Sequence, residues 1–408
     1  CSMGAKVIPL GVVPTPAVAY LTRYYKADAG VVISASHNPC EYNGIKFFNS
    51  DGYKLSDGIE NEIESYILGE KAIEELPTHG KVGYVSANHN AVEDYVAFAV
   101  STIDCRLDGM KIAVDCANGA SYETAFKALN KLGANVEAIH NTPDGVNINH
   151  MCGSTHMESL QAYVTSIGAD IGIAFDGDAD RMLAVDENGK LIDGDQIMAA
   201  CAKFMRDNGT LKQNTLVATV MSNLGLFMAG EKIGINIPRT KVGDRYVLEE
   251  MLAKGYNIGG EQSGHIIFLD HNTTGDGLVS ALQFLSVLKK TGMKASEAAS
   301  IVTVMPQVLR NAVVKLENKN SYMENEEIAA ACKALEDEFA GEGRVLIRPS
   351  GTEPLVRVMI EGKDEEYITK KAEELAELVS KAYEVEKSVV YEDVVSVVRT
   401  LREKDLLL

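Results

Sequence analysis

The stretch 171–181 is Ile-Gly-Ile-Ala-Phe-Asp-Gly-Asp-Ala-Asp-Arg. Its first five residues form a short apolar run, which predicts a strand buried on both faces. Three carboxylates, Asp176, Asp178 and Asp180, follow at alternating positions with small residues between them. Such carboxylates repel one another unless a cation lies among them, so the segment predicts a magnesium loop where α/β proteins place their ligands. Arg181 adds a guanidinium that suits phosphate. A solvated acidic turn is the alternative.

The alternation of short β-branched runs with longer amphipathic segments continues on both sides of this stretch. Lys111–Asp115 predicts a strand, and Tyr122–Leu132 predicts the helix after it. Residues 182–192 predict a hairpin that turns at Asn188-Gly189. A further cycle of helices and strands runs from 196 to 290. This order is typical of α/β units.

The pattern changes near Pro306. Strand-like and helix-like runs then follow in the order strand, helix, strand, strand, helix, as expected for a compact α+β module. A chain of 408 residues is also too long for one ordinary core. We therefore expect a multi-domain α/β protein: three related α/β domains and a C-terminal α+β domain, over 1–90, 91–192, 193–305 and 306–408.

Composition limits the classes of function. A formal net charge of −19 repels nucleic acid and anionic membrane surfaces, so neither is an expected partner. The seven cysteines are scattered without a Cys-x-x-Cys pair, which argues against a disulfide framework or a structural zinc site and favours a reducing cytoplasm. We identify no signal peptide and no apolar run long enough to span a bilayer.

The stretch 32–39, Val-Ile-Ser-Ala-Ser-His-Asn-Pro, is a second candidate site. A predicted strand over Val31–Ile33 stops at small polar residues, and the final proline prevents its continuation. The hydroxyl of Ser36 is therefore expected at an exposed strand end. His37 offers proton transfer or phosphate binding, and Lys46 follows closely enough to reach the same place. An ordinary polar turn is the alternative.

A glycine-rich stretch at 259–265, Gly-Gly-Glu-Gln-Ser-Gly-His, is a third candidate. Its glycines allow the backbone to approach a ligand closely. Glu261 and Ser263 offer acceptors for sugar hydroxyls, and His265 offers a titratable nitrogen. A β-hairpin turn is the alternative.

Two basic clusters stand out in this acidic chain. The first is Arg-Pro-Ser-Gly-Thr-Glu at 348–353, with Arg357 on the following strand. A turn with free amides, two hydroxyls and two arginines suits a phosphate monoester. The second, Lys-Val-Gly-Asp-Arg at 241–245, opens a helix and adds Lys241. The alternatives are a surface hairpin for the first and a helix start capped by Asp244 for the second.

Together, the strings at 34–39, 176–181, 260–265 and 348–354 resemble the α-D-phosphohexomutase superfamily in sequence, order and approximate spacing. Residues 11–20 and the glycine-rich string are most similar to the bacterial members that act on glucosamine phosphate. The resemblance covers nearly the whole chain. It implies four domains around a central cleft, Mg²⁺ as cofactor and a phosphosugar as substrate.

The resemblance also implies roles for individual residues. Ser36 would carry the phosphoryl group; His37, Lys46 and His265 would be the acid/base and phosphate-contact residues. Arg181 would steady the phosphate during transfer. The expected metal ligands are Ser36, Asp176, Asp178 and Asp180. The expected substrate-binding residues are Lys241 from the second basic cluster, Glu261, Ser263, Arg348, Ser350, Gly351, Thr352 and Arg357.

The expected reaction is interconversion of glucosamine 6-phosphate and glucosamine 1-phosphate through phosphoserine and a 1,6-bisphosphate. The alternatives are the same chemistry on mannose or glucose phosphates, a phosphohydrolase, and a sugar-phosphate-binding remnant without turnover. The superfamily's Thr-Asp-Gly-x-Arg-Gly string is not found, which predicts a truncated first domain. Residues 391–408 extend past the expected end as an extra amphipathic helix. A homodimer is compatible with the resemblance.

Overall fold

The computed structural model of the chain describes residues 1–73, 76–87, 90–314, 325–349 and 355–382. These residues form two compact units. The first comprises Cys1–Ser222 and Leu226–Val302, and the second comprises Asn223–Gly225 and the described residues from Thr303 onward. The predicted helix at 391–408 lies outside the described residues. Within those residues, no helix combines the length and the apolar character needed to cross a bilayer.

The first unit begins with a helix packed on a two-stranded hairpin. Strands β1 (Ala29–Ser34) and β2 (Gly44–Asn49) pair antiparallel, so that Ser34 lies opposite Gly44. Helix α1 (Thr15–Tyr24) begins after Pro14 and carries a second proline in its first turn. Proline suits this turn, because it has no N–H and an N–H there would find no acceptor within the helix. Two further helices follow: α2 (Asp57–Ile67) and α3 (Ala91–Ser101). The predicted loop between residues 34 and 43 is confirmed.

A five-stranded mixed sheet follows in the same unit, with the order β4-β3-β5-β6-β7. Its strands are β3 (Lys111–Asp115), β4 (Asn135–Ile139), β5 (Ile171–Phe175), β6 (Met182–Asp186) and β7 (Leu191–Ile192). Helices α4 (Ser121–Lys131) and α5 (Glu158–Ile167) connect the parallel strands β3, β4 and β5. Every residue of β5 is buried, as its apolar run predicts. The β6–β7 hairpin turns at Asn188-Gly189, where Gly189 adopts φ 82°, so this prediction is also confirmed.

A four-stranded sheet has the order β11-β10-β8-β9. Its strands are β8 (Val217–Thr219), β9 (Arg239–Thr240), β10 (Ile258–Gly260) and β11 (Ile266–Phe268). The accompanying helices are α6 (Gly194–Asp207), α7 (Leu224–Ile233), α8 (Asp244–Lys254), α9 (Gly277–Thr291) and α10 (Ala295–Ala299). The apolar face of α9 is buried along most of its length. The N-cap of α8 is Gly243, so the alternative that made Asp244 the cap is wrong: Asp244 is the first helical residue and its carboxylate has other partners.

The second unit is an antiparallel sheet with two helices. Strands β12 (Gln307–Val313), β13 (Arg344–Pro349) and β14 (Leu355–Glu361) have the order β12-β14-β13, with β14 in the centre. Helices α11 (Glu326–Phe339) and α12 (Glu365–Ala382) contribute apolar side chains to a core shared with the strands. Alternating buried residues along β12 place one face of this strand in that core. The predicted α+β character of this region is confirmed.

Candidate active site

Three buried carboxylates converge in the loop that follows β5. Asp176, Asp178 and Asp180 are 0%, 1% and 5% exposed, and each offers an oxygen that lies within 4.8 Å of the others'. The loop turns back on itself because the amides of Ala179 and Arg181 donate to the carbonyl and carboxylate oxygens of Asp176. The side chains of alternate residues therefore point to one place, as their spacing predicts.

The electrostatics of this cluster fit a divalent cation. Burial, together with the charges of Asp180 and Asp178, raises the pKa of Asp176 well above its usual value. Oδ2 of Asp176 is buried and accepts no hydrogen bond from any residue the structure describes. Buried carboxylates without partners are costly, and a metal ion that binds such oxygens removes this cost. The all-oxygen donor set is the one that Mg²⁺ prefers.

Ser36 lies beside these carboxylates. Its Oγ donates to Oδ1 of Asp178 over 3.2 Å, although 142 positions separate the two residues in the chain. Its own amide donates to Oγ of Ser34 at the end of β1. Ser36 adopts φ 56°, a left-handed backbone conformation that is uncommon outside glycine. The structure thus brings together the serine and the aspartate loop that the sequence singled out.

Lys46 reaches the same carboxylates from β2. Its Nζ lies 2.7 Å from Oδ2 of Asp178 and 3.3 Å from Oδ2 of Asp180. Burial lowers the pKa of Lys46, but the two carboxylates outweigh burial and hold that pKa above its ordinary value. Lys46 is therefore a cation at neutral pH, held beside Asp178 and Asp180.

Arg181 and His37 border the cluster. Nε of Arg181 lies 3.9 Å from Oδ1 of Asp180, and its side chain is partly exposed. His37 is half-buried beside Ser36, and its Nδ1 accepts or donates no hydrogen bond within the described residues. Burial, followed by the nearby guanidinium of Arg181, lowers the pKa of His37. His37 is consequently a neutral imidazole at neutral pH in this surrounding.

His265 lies behind the aspartate loop. It is 3% exposed, its Nδ1 is 3.6 Å from Oδ1 of Asp180, and its Nε2 accepts a hydrogen bond from the amide of Gly275. The same Nε2 is also 3.6 Å from Oδ2 of Asp244, which forms an ion pair with Lys54. The structure places His265 next to a predicted metal ligand, while its role in proton transfer or phosphate contact stays a prediction.

The glycine-rich loop and Lys241 lie around the start of α8. Oε1 of Glu261 accepts a hydrogen bond from the amide of Gly243 over 3.1 Å, so the carboxylate is held by the backbone next to the second basic cluster. Ser263 is exposed, as is Lys241, whose Nζ lies 5.7 Å from the ring centroid of Tyr246. These three side chains remain predicted substrate-binding residues.

In the second unit, Arg348 and Arg357 lie directly opposite each other. They are partners in the antiparallel register of β13 and β14, so both side chains leave the same face of the sheet. Burial and the neighbouring charge of Arg357 lower the pKa of Arg348. Like charges in this arrangement are destabilising unless an anion or a carboxylate offsets them. Ser350, Gly351 and Thr352 lie outside the described residues.

Two residues that the sequence did not single out contact this site. Oγ1 of Thr15 donates to Oδ2 of Asp178 over 2.6 Å, and the side-chain amide of Asn149 bonds the backbone of Ser36. Thr15 belongs to the family-like stretch 11–20, but no local pattern in that stretch indicates a contact 163 positions away. No signal in the sequence marks Asn149.

Models of the phosphoglucomutase/phosphomannomutase family match the chain in four consecutive parts. The alpha/beta/alpha domain I matches residues 1–74, domain II matches 92–189, domain III matches 193–305 and the C-terminal domain matches 312–378. Each match falls inside one of the four predicted segments, whose boundaries stay predictions. The multi-domain fold class is confirmed.

Known proteins are similar over most of their length. The phosphoglucosamine mutase of Ruminiclostridium cellulolyticum is 62% identical over 379 residues, which cover 93% of this chain and 84% of that protein. Among solved structures, a phosphoglucomutase/phosphomannomutase family protein from Burkholderia thailandensis has a TM-score of 0.76 at 22% identity, covering 94% of this chain and 84% of that one. An Aspergillus fumigatus N-acetylphosphoglucosamine mutase, solved with GlcNAc-6P and magnesium, has a TM-score of 0.66 at 19% identity, covering 90% and 92%.

The two solved structures share the fold, and the far higher identity to the bacterial relative defines the narrower group. A phosphoglucosamine mutase from Acetivibrio thermocellus is likewise 62% identical over 379 residues. With four family domains matched in order along its length, the chain belongs to the phosphoglucosamine mutases within the α-D-phosphohexomutase superfamily.

Proposed function

We propose that the chain interconverts glucosamine 6-phosphate and glucosamine 1-phosphate, with Ser36 as the residue that carries the phosphoryl group. The observation that carries this proposal is the contact between Oγ of Ser36 and Asp178 at the centre of three convergent, buried carboxylates. The names of the relatives supply the sugar.

Asp176, Asp178 and Asp180, together with the phosphorylated Ser36, are the proposed Mg²⁺ ligands. Bound Mg²⁺ offsets the charge of the phosphoserine, which is close to two negative charges at neutral pH, and polarises its oxygens. Lys46 adds a positive charge at Oδ2 of Asp178, whereas Ser36 bonds Oδ1. Arg181 is proposed to pair with phosphate oxygens. These groups stabilise charge that develops during phosphoryl transfer, which is the main requirement of that chemistry.

The transfer also needs a group that takes the proton of the attacking sugar hydroxyl. His37, Lys46 and His265 are the predicted acid/base and phosphate-contact residues. Of the two beside Ser36, the neutral His37 can accept this proton, whereas Lys46 is already a cation. His265 is enclosed between Asp180 and Asp244, whereas His37 and Lys46 are partly exposed beside Ser36. We therefore propose that His37 takes the proton of the hydroxyl, that Lys46 contacts the phosphoryl group as a cation, and that His265 orients Asp180.

In each half-reaction, the sugar carries one phosphate that is not being transferred. Arg348 and Arg357, with Ser350, Gly351 and Thr352, are the proposed ligands of that phosphate, because two guanidiniums side by side on a strand pair suit a phosphate monoester. Glu261 and Ser263 are proposed to accept hydrogen bonds from sugar hydroxyls, and Lys241 to contribute charge. In the forward direction Ser36 gives its phosphoryl group to the 1-hydroxyl, and the bisphosphate returns its 6-phosphoryl group to Ser36.

The test of this proposal is Ser36→Ala. The variant lacks the oxygen that carries the phosphoryl group, so kcat should fall by about 10⁴-fold or more while the melting temperature stays unchanged. Ser101→Ala is the matched control, since the Ser101 hydroxyl donates to the Phe98 carbonyl within its own helix. Near-normal turnover by Ser36→Ala would contradict the scheme.

The sugar is tested separately. A coupled assay should give a higher kcat/KM for glucosamine 6-phosphate than for glucose or mannose 6-phosphate. A higher value for either neutral sugar would instead support the phosphoglucomutase/phosphomannomutase alternative. Free phosphate released in proportion to enzyme turnover would support a hydrolase.

We also propose a reducing, cytoplasmic location. All seven cysteines are free thiols, which suits a compartment that keeps thiols reduced. The homodimer compatible with the resemblance is testable by light scattering of the purified chain, which separates one copy from two.

A further inference from the structure

The backbone of the Ser36 loop is strained at Ser36 itself, the residue proposed to carry the phosphoryl group. Ser36 is a non-glycine residue at φ 56°, a backbone conformation that is unfavourable for an L-residue. Within the loop, the amide of Ser36 bonds the Ser34 hydroxyl, and the amide of Asn38 bonds the carbonyl of Ala35. Neither of these two bonds involves the carbonyl of Ser36 or that of Asn38.

One side chain from the five-stranded sheet domain bonds both carbonyls. Nδ2 of Asn149 donates to the carbonyl oxygen of Ser36 and to that of Asn38, each over 2.8 Å. Asn149 is 6% exposed, and its Oδ1 accepts no hydrogen bond within the described part of the chain. The orientation of the amide is nevertheless fixed, because a flipped amide would set its oxygen against two carbonyl oxygens.

Asn149 is itself held in place. It adopts φ 59°, a conformation that asparagine tolerates better than most residues, and its backbone amide donates to the Ala117 carbonyl over 2.9 Å. Gly177 of the aspartate loop packs against both Asn149 and the Ser36 carbonyl. A Cβ at position 177 would come within 2.5 Å of the Ser36 carbonyl oxygen and 2.7 Å of Nδ2 of Asn149. The serine loop, Asn149 and the aspartate loop therefore meet without spare room.

We propose that Asn149 is a positioning residue for phosphoryl transfer, which clamps the Ser36 backbone in its left-handed conformation and so keeps Oγ in contact with Asp178. This inference rests on the function proposed above. Without the clamp, the loop can relax to ordinary backbone conformations that point the hydroxyl elsewhere. The side chain of Asn149 bonds the backbone of the serine loop. A small displacement of a reacting group costs a large factor in rate.

Two substitutions test the clamp. Asn149→Gly removes the side chain and keeps the left-handed backbone accessible, and Asn149→Asp keeps the shape but sets a carboxylate oxygen against the two carbonyls. Asn147→Ala is the matched control in the same loop, since that amide bonds Thr142 and Asp144 nearby. We expect kcat of both Asn149 variants to fall by about tenfold to a hundredfold, with KM for glucosamine 6-phosphate within about twofold of the unsubstituted chain.

Hydrogen exchange supplies a readout that does not depend on turnover. Amides at 34–38 should exchange faster in both Asn149 variants, while those of strand β3 keep their rates; Asn147→Ala should change neither. Faster exchange throughout the first unit would contradict the inference, because it would indicate a general loss of stability. Unchanged exchange at 34–38 together with unchanged kcat would also contradict it.

The two proposals fail in different ways. If the unsubstituted chain turned over no hexose phosphate, the proposed function would be wrong, and the exchange rates at 34–38 would still decide whether Asn149 holds the loop. If the unsubstituted chain is active and Asn149→Gly and Asn149→Asp match it, the function stands and the clamp is wrong.

Discussion

At the residue scale, the site depends on side chains that hold the metal ligands as well as on the ligands themselves. Thr15 and Asp178 are both buried, and Thr15 bonds Asp178 twice: through its hydroxyl over 2.6 Å and through its amide, which donates to the Asp178 carbonyl over 2.9 Å. Groups that orient a metal ligand in this way commonly change metal affinity when they are removed.

Thr15→Val keeps the shape of the side chain and removes the hydroxyl. We expect Mg²⁺ affinity to fall by about tenfold or more, because Asp178 loses a buried hydrogen bond to a charged group. Isothermal titration of the unphosphorylated chain measures this without turnover. Thr22→Val is the matched control in the same helix, since that hydroxyl donates to the Val18 carbonyl within the helix. Equal affinities in the two variants would contradict the role given to Thr15.

Sequence alone could predict the residues that lie in contiguous strings. Asp176, Asp178 and Asp180 share one loop, so their spacing carries the information. Thr15 and Asn149 could not be predicted, because each acts on a partner more than a hundred positions away. Such contacts arise from how the hairpin and the five-stranded sheet pack, which no short pattern encodes.

At the element scale, the ends of neighbouring parallel strands bring side chains together outside the proposed active site. Asp115 ends β3 and His140 follows β4, so that Nδ1 of His140 lies 2.9 Å from Oδ2 of the fully buried Asp115. The hydrogen bond to Asp115 raises the pKa of His140. Sequence alone does not pair them, since the two residues are 25 positions apart.

The Asp115–His140 pair predicts a pH dependence of stability. Because the folded-state pKa of His140 lies above its unfolded value of about 6.5, the pair stabilises the fold fully below that value and loses this contribution as pH rises through the folded pKa. His140→Gln should therefore lower the free energy of unfolding more at about pH 5.5 than at about pH 8.5. Urea denaturation at the two pH values measures the difference. A destabilisation of equal size at both would contradict the prediction.

The elements themselves were largely predictable. Strands β3 and β5 and helix α4 lie within a few residues of their predicted bounds, because periodicity and turn residues mark them. Strand β2 was not predicted as a strand, since Gly44 and Asn49 at its ends and Lys46 within it weaken the apolar pattern. Antiparallel pairing with β1 stabilises this strand, although its own sequence has a weak preference for β structure.

At the scale of the whole molecule, the metal site should couple to folding of the first unit. The three aspartates lie in one buried loop. Buried carboxylates that lack partners are costly, so we expect a bound cation to stabilise the fold. A ligand that binds only the folded state stabilises it by about 2.7 kcal/mol at a hundred times its dissociation constant. Four motifs predicted the class of fold and the order of its domains. They did not predict how metal binding couples to folding, because that depends on how deeply the three carboxylates are buried.

Mg²⁺ should therefore raise the melting temperature of the chain, and Asp178→Asn should reduce that rise strongly. Asp104→Asn is the control, because Asp104 is an exposed carboxylate that pairs with Lys290. Differential scanning calorimetry with and without Mg²⁺ measures the shift. A melting temperature that does not respond to Mg²⁺, or that responds equally in both variants, would contradict the placement of the metal.

The proposed mechanism requires a phosphoryl group at Ser36 that exchanges with substrate. Intact-mass measurement followed by peptide mapping tests this after the chain is incubated with a hexosamine 1,6-bisphosphate and Mg²⁺. We expect one added phosphoryl group, mapped to Ser36, that disappears when glucosamine 6-phosphate is added in excess. A chain that turns over while no phosphoryl group is found at Ser36, or one whose phosphoryl group at Ser36 never reaches the sugar, would contradict the proposed mechanism.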